Sequence, residues 1–177
     1  MPLFITKMQT SIGNMLAAAS DEGICLFDFE FRKSIDSIKY RITSTLNTQF
    51  TEGYHSYFDV LKKQIDEYFS GNRKNFVLPL HLVGTDFQKQ VWSNLIKIPF
   101  GSVSTYKKQA IGLGNEKAVR AMARANGENG LAIIVPCHRV ISESGHLTGY
   151  GGGIPKKKWL IEHEAFILAS EKQMHLF

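Results

Sequence analysis

Leu131-Ala132-Ile133-Ile134-Val135-Pro136-Cys137-His138-Arg139-Val140 sets five apolar residues directly against a proline, a cysteine, a histidine and an arginine. An uninterrupted, β-branched run this short predicts a strand buried in a core. Pro136 has no backbone N–H to donate and holds its φ at about −65°, so regular structure stops there. The reading is a thiol on a rigid turn at the mouth of a core strand, with His138 and Arg139 lending positive character. Such a turn presents a nucleophile.

Downstream, Ser142 to Gly145 reads as a polar turn, and Gly149-Tyr150-Gly151-Gly152-Gly153 as a flexible loop with one aromatic. Clustered glycines let backbone approach a ligand closely, and Tyr150 can stack on a flat ring. Pro155 opens a last helix, whose candidates for the core are Trp159, Leu160, His163, Phe166 and Ile167. Glu164 follows Leu160 by one turn, on the inward side.

Upstream, Thr85-Asp86-Phe87-Gln88 is a capping box, so a helix starts there and runs until Pro99-Phe100-Gly101. Ser104 is placed to cap a helix from Thr105 to about Ile111. Gly112-Leu113-Gly114 turns the chain, and Asn115 is placed to cap a second helix from Glu116 to about Asn126. On that second helix Ala118, Ala121 and Ala125 share one face, while Lys117, Arg120 and Arg124 lie beside it. A small, basic face fits a phosphate backbone; it equally fits a solvated charged helix whose alanines pack inward.

The first half reads as a scaffold. Leu3–Met8, Met15–Ala19 and Ile24–Phe29 form a meander of strands with turns at Ile12-Gly13 and Glu22-Gly23. Ser34–Leu46 and Tyr54–Phe69 have helical spacing, and Phe76–Val83 reads as a further strand interrupted by Pro79. Cys25, inside the third strand, reads as a small buried hydrophobe. The character changes near Gly84, which places domains at 1–84 and 85–177. The expected class is α/β (α+β), an antiparallel sheet with helices followed by a helical domain with a helix-turn-helix.

Of the 177 residues, 44% are hydrophobic and 21% charged, with a formal net charge of +5. That balance excludes a disordered chain and is compatible with a polyanionic partner. No basic segment leads into a long apolar stretch at the amino terminus, and no apolar run approaches spanning length, so neither a signal peptide nor a membrane segment is expected. Two cysteines without metal-type spacing give no support to a metal site and predict reduced thiols in a cytoplasmic protein.

Chemically, a nucleophilic cysteine needs a base, and the base needs an orienter. Cys137, His138 and Glu164 supply that set, with His138 reaching Cys137 across a turn or through a water. An isolated Cys-His pair reads first as a buried thiol beside an exposed imidazole. A cysteine hydrolase and a non-catalytic DNA-binding or regulatory protein are the rival functions.

Pro136-Cys137-His138-Arg139-Val140, with Asn129 before it and Gly149–Gly153 and Trp159–Glu164 after it, resembles the O6-alkylguanine-DNA alkyltransferases. The likeness runs from about Gly84 to Glu164 and includes Ser104-Thr105-Tyr106 and Ala118-Val119-Arg120-Ala121. It implies a ribonuclease-H-like domain followed by a winged-helix-like domain. It also implies single-turnover transfer of an alkyl group from O6-methylguanine, and from O4-methylthymine, to Cys137, without cofactor or metal. Asn129 matches a brace of the active-site turn, Arg120 a finger that fills the stack, and Tyr106 a proton donor near the 3′ phosphate. Lys117, Ala118, Ala121 and Arg124 would lie along the minor groove of double-stranded DNA, without strong sequence preference. Pro136, Val140, Thr148, Tyr150 and Gly151 would form the base pocket. The expected protein is a monomer, nucleoid-associated or nuclear when on DNA. Two departures stand out. Gly151 replaces a frequent serine, removing a hydroxyl contact to the base, and Thr148 replaces a frequent glycine, which predicts restriction of large alkyl groups.

Overall fold

The computed structural model describes residues 2–174, so Met1 and residues 175–177, the ends of the expected domains, lie outside the described residues. Three strands form the meander, β1 (Leu3–Thr10), β2 (Gly13–Ser20) and β3 (Gly23–Phe29). A short β4 (Phe50–Glu52), absent from the sequence reading, adds to the free edge of β1 and runs parallel to it. The sheet order is β3-β2-β1-β4, antiparallel except at that edge.

Between β3 and β4 runs α1 (Ile35–Leu46), and α2 (Ser56–Phe69) follows β4. Helix α1 covers one sheet face through Ile35, Ile38 and Ile42, which pack with Leu3, Ala18, Cys25 and Leu26. Helix α2 buries Phe58, Leu61, Ile65 and Tyr68 in a larger core that also contains residues of the second half, among them Trp92, Met122 and Val135. Strand β3 is therefore covered on both faces, and every one of its residues is buried. Residues 76–83 form no strand; only Leu80 bridges to Ile24, because Pro79 offers no N–H and interrupts pairing.

The second half is helical. The capping box at Thr85 is present in full and starts α3 (Asp86–Leu95). The next cap falls one residue later than expected: Thr105, not Ser104, accepts from Lys108 N and starts α4 (Tyr106–Gly112). Ser104 and Thr105 instead form β5, parallel to β6 (Val140–Ile141). Asn115 makes no side-chain cap; a 3-10 turn over Glu116–Ala118 leads into α5 (Val119–Gly127). The last helix, α6, spans Ile154–Met174.

The stretch 131–135 is buried as expected but is not a strand. Only Leu131 bridges, to Phe27 of β3, after which the chain turns back on itself. Ile133 sits at φ 73°, left-handed and costly for a β-branched residue at about 1–3 kcal/mol. Hydrogen bonds from Ala132 N to Phe27 O at 2.7 Å and from Phe27 N to Gly130 O at 2.8 Å tie this turn to β3. The strain is held at the place where the thiol is displayed.

Candidate active site

Cys137, His138 and Arg139 form a single 3-10 turn, so their side chains leave it in different directions. Cys137 is 7% exposed and faces a cavity of about 490 Å³. Tyr106, Tyr150, Gly151, Asn126 and Arg32 are among the residues that line it. Asn129 fixes the turn from behind. Its Nδ2 donates to Val135 O at 3.0 Å and approaches Cys137 Sγ at 3.2 Å, and its Oδ1 accepts from Leu131 N at 2.9 Å.

His138 points the other way and is fully buried. Its Nε2 lies 2.7 Å from Glu164 Oε1. Glu164 is a hub. It accepts from Tyr68 Oη at 2.8 Å, from Gly101 N at 2.9 Å, and from Arg139 Nε at 2.9 Å and Nη2 at 3.0 Å. Burial alone would push this carboxyl up, but the hydrogen bonds and charges of His138 and Arg139 outweigh it and hold Glu164 down at about 2. An ionised Glu164 can only accept, so Nε2 of His138 carries the proton and Nδ1 keeps a basic lone pair. That Nδ1 is buried and has no hydrogen-bond partner among the described residues. Burial pulls the His138 pKa down, against the pull of Glu164, which keeps the ring neutral.

The electrostatics at the thiol differ from the expectation. Burial pushes Cys137 up, and the Asn129 hydrogen bond and the Arg32 and Lys157 charges only partly oppose it. Arg139 lends it little, because its cation is spent on Glu164 and on Ile98 O at 2.6 Å. The cations that do favour a thiolate, Arg32 and Lys157, come from elsewhere in the chain.

Lys157 was not among the expected site residues. It is fully buried on the inner face of α6, two turns before Glu164. Its Nζ donates to Val140 O at 2.6 Å, Thr148 O at 2.8 Å and Gly149 O at 3.3 Å, and lies 5.8 Å from the Tyr106 ring centroid. Burial pulls it down to about 8. Tyr106 Oη donates to the same Thr148 carbonyl at 3.2 Å, so Lys157 and Tyr106 together pin the loop. Leu160 is the only one of the expected apolar core residues of α6 that is buried; Phe166 is 68% exposed, and Trp159 stacks on His163 at 4.8 Å. The inner face of α6 carries Lys157 and Glu164 because it serves the site.

The 149–153 loop is less free than its glycines suggested. Gly149 and Gly153 have positive φ, but Gly151 and Gly152 are seats for Arg32 and Phe29, which arrive from the end of β3. Tyr150 sets its ring edge-on to Phe29 at 5.9 Å. Tyr150 and Gly151 line the cavity as expected, whereas Pro136, Val140 and Thr148 are not part of its wall, and the Val140 carbonyl is taken by Lys157.

On the 3-10 turn over Glu116–Ala118 and on α5, Lys117, Arg120, Ala121 and Arg124 are exposed and Ala118 is half-buried. Ala125 departs from the expected open face. It is 2% exposed, and its carbonyl accepts from Trp92 Nε1 at 2.8 Å. Arg124 pairs with Glu128 at 3.1 Å.

Comparison with known proteins matches two family models: 6-O-methylguanine DNA methyltransferase, ribonuclease-like domain, over residues 3–82, and the DNA binding domain of the same family over residues 86–166. A methylated-DNA–protein-cysteine methyltransferase of Methanosarcina barkeri is 38% identical over 162 residues, 92% of this chain and 97% of the relative. The chain belongs to the 6-O-methylguanine DNA methyltransferase family. A constitutive methylated-DNA–protein-cysteine methyltransferase of Bacillus subtilis is 37% identical over 96% of this chain and 95% of its own length. Among solved structures, Mycobacterium tuberculosis OGT in complex with DNA superposes with TM-score 0.79 at 35% identity, covering 93% of this chain and 94% of that one. The O6-methylguanine-DNA methyltransferase of Pyrococcus kodakaraensis superposes at 0.67 with 25% identity, over 92% and 98%. As a 6-O-methylguanine DNA methyltransferase family member, the chain is a DNA-binding methyltransferase of DNA repair.

Three groups of this family member's site escaped the sequence reading: Tyr68, Lys157 and the Asp28–Arg32 pair. A buried lysine on an otherwise inward helical face was the one local signal, since Lys157 lies three residues before Leu160 and seven before Glu164.

Proposed function

We propose that this protein removes the alkyl group from O6-alkylguanine in double-stranded DNA by transferring it irreversibly to Cys137 Sγ. The observation that carries this is Cys137 at a cavity wall, directly followed by His138 of a buried His138–Glu164 couple whose Nδ1 is left without a partner among the described residues. The Cys137 proton passes through a water to His138 Nδ1, and Glu164 stabilises the imidazolium. The thiolate attacks the alkyl carbon. A carbon–sulfur bond forms as the carbon–O6 bond breaks, and its electron pair stays on the guanine, which takes a proton from Tyr106 Oη. Asn129 holds the thiol on line. The thioether does not hydrolyse, so the protein acts once, as a monomer, and needs no cofactor. O4-methylthymine, with the same alkyl–oxygen bond, is a second substrate.

A base in a duplex must leave the stack to reach this cavity. Arg120 enters the stack, and Ala118 and Ala121 let α5 settle in the minor groove while Lys117 and Arg124 meet phosphates. Tyr150 and Gly151 hold the base. Residues 85–177 carry the reacting thiol and the helix facing DNA, and residues 1–84 frame them, a division supported by the separate family models for each half.

The test is a duplex carrying O6-methylguanine with a radiolabelled methyl group. At most one label per protein is expected, on the Cys137 peptide; repeated turnover or label on Cys25 would falsify the reading. Arg120→Ala should slow repair of the duplex about 100-fold or more while leaving reaction with free O6-methylguanine within about twofold, since no stack has to be filled for the free base. Equal losses on both substrates would remove the finger role.

A further inference from the structure

One wall of the Cys137 cavity comes from the amino-terminal half, where Asp28 lies in β3 just before its end at Phe29, and Arg32 follows. Arg32 is 8% exposed, and its side chain makes four hydrogen bonds among the described residues. Nη1 donates to Asp28 Oδ2 at 2.5 Å and to Asn129 O at 2.7 Å, Nη2 to Gly127 O, and Nε to Ser34 Oγ at 2.8 Å. Two of its acceptors are thus backbone carbonyls of the segment that carries Asn129, whose side chain holds the thiol turn. A guanidinium can bridge two carbonyls and a carboxylate at once because its donors form a rigid planar fork.

The same group explains Gly151. Its φ lies outside the left-handed range, so backbone torsion does not require glycine there. Space does. A Cβ on residue 151 would sit 2.5 Å from Arg32 Cζ and 2.6 Å from its Nε and Nη1. Each of the three atoms is itself held by the bonds above, so the guanidinium cannot swing aside without releasing Asn129 or Asp28.

We propose that Arg32 is a positioning residue of the alkyl-transfer site, holding Asn129 behind Cys137 from the amino-terminal half, and that it excludes any side chain from position 151. The proposal rests on the alkyl-transfer reading of Cys137. It makes the amino-terminal half part of the reaction machinery. It also makes the identity of residue 151 dependent on Arg32. The charged and titratable groups facing Cys137 are then Arg32, Asp28 and Lys157, with Tyr106 and Tyr150.

The test compares Arg32→Ser, Arg32→Lys, Gly151→Ser and the double variant Arg32→Ser/Gly151→Ser in the full chain, with folding checked by circular dichroism. Two quantities are read: the single-turnover rate at saturating O6-methylguanine duplex, and the pH dependence of Cys137 alkylation by iodoacetamide without DNA. Gly151→Ser should slow transfer at least about tenfold when Arg32 is present, but adding it to Arg32→Ser should slow that variant less than about twofold further because the collision is gone. Arg32→Ser should slow transfer about 100-fold through misplacement of the thiol and move the iodoacetamide profile to higher pH. Arg32→Lys should restore that profile but not the rate, since an ammonium keeps the charge without the fork. A wild-type rate for Gly151→Ser, a double variant about tenfold or more slower than Arg32→Ser, or an unmoved profile in Arg32→Ser overturns the proposal. Because iodoacetamide needs no DNA, failure of the wild type to accept label from DNA, with the profiles shifted as expected, would overturn the DNA reading and leave the Arg32 role standing.

Discussion

Cys137→Ala is expected to abolish alkyl transfer to the protein while leaving the fold and DNA binding in place. Among the described residues lining the cavity Cys137 is the one thiol, and Cys25 is no substitute. Cys25 is 3% exposed inside β3, and burial pushes its thiol up to about 12, so almost no thiolate exists near neutral pH. The fold should survive because Asn129 Nδ2 keeps its bond to Val135 O when Sγ is lost. The stability cost is then mostly that of a small buried group, about 1 kcal/mol. The measurements are label transfer from an O6-methylguanine duplex, urea unfolding, and duplex binding by fluorescence anisotropy. Residual transfer to Cys137→Ala would show that another group accepts the alkyl.

Glu164→Ala carries the second large effect, and it falls on stability as well as transfer. The carboxylate gathers Tyr68, His138, Arg139 and Gly101 while only 1% exposed. Its removal leaves the buried Arg139 cation without its counter-ion and His138 without an orienter. Losing one partner of a buried pair costs about 3–5 kcal/mol. The pH dependence follows from the depressed carboxyl. The folded value is about 2 against an ordinary 4.5, so the stabilisation is fully present above pH 4.5 and is lost as the pH falls toward 2. The span corresponds to about 3 kcal/mol. Urea unfolding of the two proteins should therefore differ most near neutral pH and converge in acid. Parallel curves down to pH 2 would mean that the ion cluster contributes nothing to the acid limb. Transfer by Glu164→Ala, measured where it is still folded, should fall about 100-fold or more, because a freed imidazole no longer presents the right tautomer.

Much of the site could be read from the chain because it is local. The capping box needs only Thr85 and Gln88, three residues apart, and it is present as expected. The meander follows from apolar runs divided by glycine turns, and the Pro-Cys-His-Arg motif marks the thiol whatever surrounds it. Glu164 could be named in advance because helical spacing alone puts it on the inward face. The errors share a cause. Residues 131–135 have strand composition, yet the chain turns at Ile133, because Asn129 and β3 together hold a conformation that local preference opposes. Ala125 lies in line with Ala118 and Ala121 on a helical wheel, but Trp92 packs there and closes that end of the face.

What the sequence by itself determined is which groups the proposed reaction uses: a thiol after a proline, an imidazole beside it, a carboxylate one turn beyond Leu160, and a basic helix proposed to meet DNA. Only the tertiary structure decided how they are poised. His138 turns to Glu164 and away from Cys137, and Arg139 is neutralised. The charges near the thiol come from Lys157 and from Arg32, whose contact with Asn129 spans 97 positions of sequence. Tyr68 reaches Glu164 across 96. No periodicity or motif reports such contacts. Burial and the nearest charges set a pKa, and both are fixed only when distant segments close around the group.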